Sequence, residues 1–136
     1  MSDRGSAPLE LALGAVVILI PVVLVVLALA PWLERQLAAR VLAREAARVM
    51  VLADTYEGGA EQAAALIDEV AGNYGIAAED LSLRLEGDLA RGGAITSLVT
   101  VRIPVLGVPG VGAVAGPTWW WSTRHSEQVD LYRSLP

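Results

Sequence analysis

The chain has no cysteine, no lysine and few aromatic residues. Without cysteine there are no disulfides, no thiol nucleophile and no thiolate metal site. Any folded part must therefore hold by packing alone. All ten basic residues are arginine, and fifteen acidic residues outnumber them, for a formal net charge of −5. That balance argues against a nucleic-acid module, which is usually basic. The composition is 54% hydrophobic but only 5% aromatic. The excess is aliphatic and concentrated near the N-terminus. A length of 136 residues suits one membrane anchor and one small domain, whose core is modest at that size.

Residues 11–32 read LALGAVVILIPVVLVVLALAPW, with no charge. At 1.5 Å per residue this is roughly 33 Å of helix, enough to cross a bilayer core. A small domain has too little protein to surround such a segment on every side. A cleaved secretory signal is the competing reading, with Ala28-Leu29-Ala30 as the cut site. The apolar run is longer than a signal core, however, and Pro31 follows the cut. Pro21 lies inside the span, where it frees the carbonyl of Val17, and Gly14 offers a surface for close helix approach. Arg35, Arg40, Arg44 and Arg48 follow the span, and charge bias alone would put that side in the cytoplasm.

Before the span comes Arg4-Gly5-Ser6-Ala7-Pro8-Leu9-Glu10-Leu11, with Glu10 directly against the apolar run. A carboxylate there is costly and usually has a partner. A glycine followed by a glutamate five residues later and then a long apolar helix resembles the type IV prepilin processing motif. The short leader MSDRG, the arginine- and alanine-rich stretch Leu42-Ala43-Arg44-Glu45-Ala46-Ala47-Arg48, and the ending from Arg124 to Arg133 resemble TadE-like minor pilins of tight-adherence (Flp) pilus systems. The chain departs from the family at Leu11, where an aromatic residue is common, and at Pro8. The resemblance implies cleavage between Gly5 and Ser6 by a prepilin peptidase. It also implies a charge pair between the new amino group of Ser6 and Glu10 of a neighbour. Such a pair fixes axial register, although desolvation offsets much of its attraction. It further implies a head outside the cytoplasm, reversing the charge-bias orientation. The implied partners are a major Flp pilin, other minor pilins and an inner-membrane secretion platform.

The expected organisation is a leader at 1–5, a transmembrane helix at 6–32 and an extracytoplasmic α+β domain at 33–136. Helical periodicity continues to about Asp54. Leu33, Leu37 and Val41 form one apolar row beside Leu42, Ala46, Val49 and Ala53. Arg40, Arg44 and Arg48 form a row on the polar side, and Glu45 is placed to pair with Arg48. Gly58-Gly59 is expected to separate this helix from a second one at about 60–71. Residues 81–86 alternate strictly and predict a half-buried strand; residues 98–103 predict its antiparallel partner, with Val99, Val101 and Ile103 inward. An apolar glycine- and proline-rich loop follows Pro104. Trp119, Trp120 and Trp121 open a last strand, where alternation forbids all three from sharing one core. The sheet is thus expected to have about three strands. The arginine row and the three tryptophans are candidate subunit or membrane contacts.

No catalytic set emerges. His125 is the sole histidine, and Ser122, Ser126 and Asp130 lie on the same strand or its tail, without the convergence a triad requires. Glu79-Asp80 and Glu86-Asp88 lack calcium-loop spacing, and no lysine-bearing phosphate loop is present. A structural or assembly role is expected, without enzyme activity, metal, cofactor or small-molecule substrate. The rival expectation is a permanently anchored extracytoplasmic binding or sensor domain.

Overall fold

The computed structural model describes residues 6–104, 107–108, 112–113 and 118–132. The architecture is α+β. Helix α1 spans Ser6–Leu52 and α2 spans Tyr56–Asn73. A short 3-10 turn at Ala78–Asp80 leads into β1 (Leu81–Gly87), followed by β2 (Ala94–Pro104), β3 (Gly107–Val108), β4 (Gly112–Ala113) and β5 (Thr118–Gln128). Strands β1, β2 and β5 form an antiparallel sheet with β2 in the centre, and β3 and β4 pair separately.

Helix α1 is one continuous element of 47 residues, about 70 Å long. Its helical pattern runs through both Pro21 and Pro31. From Ala38 onward it is the spine of the domain. Ala38, Ala39, Leu42, Ala43, Ala46, Ala47 and Met50 are buried. Their spacing repeats roughly every helical turn, so they form one broad face. Most are alanine, and the small side chains let the sheet and α2 approach the helix backbone. Leu33, Leu37 and Val41 stay exposed, on the same side as the arginine row. The expected separation of that apolar row from the arginines is therefore corrected.

Helix α2 begins earlier than the glycine pair suggests. Thr55, in extended conformation, caps it by accepting a 3.2 Å hydrogen bond from the Gly58 amide. Gly58 and Gly59 thus sit inside the first turns. Gly59 packs closely on the end of α1 and the link after it: a Cβ there would lie 2.7 Å from the Ala53 methyl and 3.0 Å from the Met50 sulfur. The helix ends in a Schellman arrangement. Gly75, at φ +61°, donates to the Gly72 carbonyl, and Ile76 donates to the Ala71 carbonyl. Ile76 and Ala71 are both buried, which adds the apolar contact that accompanies this stop.

The sheet register sets the two faces. Leu81, Leu83 and Leu85 lie opposite Val101, Val99 and Ser97. With Ile95 and Ile103 they face α1. On the outer face, Thr100 and Ser122 are hydrogen-bonded at 2.8 Å, and Thr96 donates to Ser126 at 3.1 Å. The polar face therefore points to solvent and the apolar face closes the core. Buried Ser97 is the exception. Its hydroxyl donates to the Ala43 carbonyl of α1 and so joins the sheet to the helix backbone.

Candidate membrane and assembly surfaces

Among the described residues, nothing packs around the N-terminal half of α1. Its apolar side chains are exposed at nearly every described position, from Leu9 through Leu33. This helix is long and apolar enough to cross a membrane. Exposure on all sides suits a lipid solvent, since one chain in water would leave a patch far larger than soluble proteins tolerate. Between residues 6 and 32 the only charged residue is Glu10. Its side chain is exposed and borders a shallow groove with Leu11, Gly14, Ala15 and Ile18. Nothing lies within 4 Å of where a Cβ would stand on Gly14. Glu10 makes no ion pair among the described residues. Ser6 is the first residue of the helix, one turn before Glu10. Gly5 and the rest of the expected leader lie outside the described residues.

Where the helix enters the domain, long-range contacts lock the two together. Arg35 donates to the Arg102 carbonyl at 2.7 Å and lies 3.7 Å from the Asp80 carboxylate. Arg102 reaches the same carboxylate at 3.3 Å. One acid thus ties α1, the central strand and the turn before β1. Strand β2 runs toward the apolar end of α1, because Ser97 meets Ala43 while Arg102 meets Arg35. Its partner β5 therefore starts at that end, so the three tryptophans lie at the root of the domain.

Alternation puts Trp119 and Trp121 on the inward face and Trp120 on the outer one, but only Trp121 is covered. Trp121 is half-buried and packs against the core, whereas Trp119 and Trp120 are 67% and 53% exposed. The Arg40 guanidinium lies 5.7 Å from the centre of the Trp121 ring, within cation–π range. Arg44 and Arg48 are exposed and unpaired among the described residues, and no pair forms between Arg48 and Glu45. The arginine row therefore splits: its first member is engaged within the chain, and the other two face outward.

The apolar loop after Pro104 is partly described, as the β3–β4 ladder, and β3 contacts α1. Among the described residues, no three His, Asp or Glu side chains converge in a way that could hold a metal ion. His125 is 3.5 Å from Glu127 on its own strand. The Arg35–Asp80–Arg102 cluster has no sequence signature, because its members are far apart in the chain and Arg102 takes an ordinary place in the alternation of β2.

No protein-family model matches the chain, and no curated protein and no solved structure matches it.

Proposed function

We propose that the chain is a minor pilin-like subunit that contributes to assembly of a tight-adherence (Flp type) pilus. The observation that carries this reading is the division of labour along α1. One unbroken helix is bare and apolar in its first half and is the spine of an α+β head in its second, and the bare half holds a single charge, Glu10. Together with the processing-like motif at Gly5-Ser6 and the family resemblance, this supports a helix made to leave lipid for the company of other apolar helices. In such a bundle, van der Waals packing and buried polar pairs replace lipid contacts.

In this reading a prepilin peptidase removes residues 1–5. The ammonium created at Ser6 then pairs with Glu10 of a neighbouring subunit. The subunit sits in the cytoplasmic membrane with a single span and its head outside, available to a major Flp pilin, other minor pilins and the inner-membrane secretion platform. The arginines beyond the span are compatible with that orientation. Arg35 is engaged with Asp80 and Arg40 with Trp121, and charge bias acts weakly on whole domains that are exported.

The test is the intact mass of membrane-extracted protein made with and without a co-expressed prepilin peptidase. A loss of residues 1–5 only with the enzyme supports the reading. Glu10→Ala should then impair assembly with the partner pilins while leaving the head folded. Retention of residues 1–5 in the presence of active enzyme, with Glu10→Ala silent, leaves a permanently anchored binding or sensor domain instead.

A further inference from the structure

The outward face of α1 carries two unused arginines, Arg44 and Arg48, in one row with Arg40, whose guanidinium lies over the Trp121 ring. On a helix at 100° per residue, Arg40, Arg44 and Arg48 fall within about 80° of one another. Leu37 and Val41 lie beside them and are 58% and 42% exposed. Like charges at this spacing repel, so the row is unfavourable until an acidic partner meets it. Glu34 and Glu45 flank it, but neither pairs with it among the described residues.

Lipid phosphate is a poor fit to this row. Arg44 and Arg48 lie twelve and sixteen residues beyond Trp32, about 18 and 24 Å along the helix axis. The headgroup layer of one leaflet is only about 5–8 Å deep. The partner of these two arginines must stand beside the head.

The chain itself offers such a partner in α2. Its four charged residues, Glu57, Glu61, Asp68 and Glu69, are all acidic and exposed. Glu57, Glu61 and Asp68 fall within about 40° on the helix, and none is paired among the described residues. Ala64 and Ala65 between them, and Gly72 beyond Asp68, are small and exposed on the same side, so another helix can approach closely.

The heights also agree. Helix α2 folds back along α1, since a three-residue link joins them, Gly59 meets Met50 and Ala53, and Asp80 beyond its end reaches Arg35. With equal rise in both helices, Glu61 stands within about 3 Å of the level of Arg48, and Asp68 stands between the levels of Arg40 and Arg44. Two copies held at the same depth by their spans would present these rows to each other.

We propose that the α1 arginine face of one copy docks on the α2 acidic face of a second copy of this chain. The contact is heterologous, so each copy keeps one face free and pairing can continue laterally into a ring or row. The proposal rests on α1 being membrane-anchored, not on trimming after Gly5.

The absence of cysteine makes the test clean. Full-length Arg48→Cys and Glu61→Cys chains of different tag size are co-reconstituted in lipid vesicles without peptidase and mildly oxidised. The mixed 48–61 disulfide should exceed both homodimers. It should be lost when the Arg48→Cys copy also carries Arg44→Glu, and regained when the Glu61→Cys copy then carries Asp68→Arg. Equal yields of all three disulfides, or no regain, would overturn the proposal, as would failure of the chain to float with the vesicles. Because untrimmed protein is used, failure of the pilus reading leaves this result standing, and normal trimming does not rescue it.

Discussion

The tight contact at Gly59 allows one substitution to be tested at two sites with opposite expected signs. Gly59 and Gly72 both lie in α2, and replacing either by alanine raises intrinsic helix propensity by up to about 1 kcal/mol. At Gly72 nothing lies within 4 Å of the new methyl, so the gain stands, reduced toward about 0.5 kcal/mol near the helix end. At Gly59 the methyl would meet the Ala53 methyl at 2.7 Å and the Met50 sulfur at 3.0 Å. The sulfur can swing away, but Ala53 moves only with its backbone. Overpacking of this kind costs about 1–3 kcal/mol, which outweighs the propensity gain. With about 2 kcal/mol of overpacking set against about 1 kcal/mol of propensity, the two variants should differ by about 1.5 kcal/mol. For a head of this size each kcal/mol moves Tm by roughly 4–8 °C, so their melting points should lie roughly 6–12 °C apart. The measurement is thermal unfolding of the full chain in detergent micelles, followed by near-ultraviolet circular dichroism of the tryptophans. Far-ultraviolet signal would be dominated by the apolar half of α1, which micelles hold helical. If Gly59→Ala melts as high as Gly72→Ala, α1 and α2 do not approach as described.

Other positions give simpler expectations. Ser97→Ala removes the buried hydrogen bond to the Ala43 carbonyl and should cost about 1–2 kcal/mol in denaturant unfolding, since that carbonyl loses a partner away from water. Gly87→Ala should cost more than about 2 kcal/mol or abolish folding: Gly87 has φ +111°, and a Cβ there collides with the carbonyl oxygen of Ala94, the first residue of β2. Asp80→Asn frees both Arg35 and Arg102. Because Arg102 is partly solvated, the loss should be limited to about 1 kcal/mol and shrink in high salt, as seen by comparing melts at low and high ionic strength. Arg40→Ala should red-shift Trp121 emission and cost about 0.5–1 kcal/mol, since the guanidinium covers that ring.

Much of this fold is legible in the residues, and the parts that are not have a common cause. Alternation exposes β1 and the inward face of β2 directly, because a period of two needs only a wet side and a dry side. Leu81, Leu83 and Leu85 opposite Val101, Val99 and Ser97 are that pattern realised. The uncharged span is legible because length and composition suffice. What periodicity misjudges is the packing face of α1. It sets Leu33, Leu37 and Val41 on the apolar side together with Leu42, Ala46 and Ala53; the last three are buried and the first three exposed, and the buried face is mainly alanine. Hydrophobicity scales reward large side chains, but close packing of a helix against both a sheet and another helix rewards small ones. Gly58-Gly59 is misjudged for the same reason: as punctuation it ends a helix, whereas at the α1–α2 contact the missing side chain is what lets the helices meet.

This distinction bears on the candidate surfaces. Within the head, α1 spends its alanines on its own domain and leaves its larger apolar residues and outer arginines uncovered. A solvated helix face needs charge but gains nothing from a leucine row, and a buried one would not carry Arg44 and Arg48 without acids. A face with both is suited to an interface core bordered by charge, where apolar contact supplies affinity and the charges fix register. The same helix therefore presents one face to its own fold and another to a neighbour. The boundary between them is drawn by side-chain size more than by polarity, which is why hydrophobic periodicity alone joins exposed Leu33, Leu37 and Val41 to buried Leu42 and Ala46.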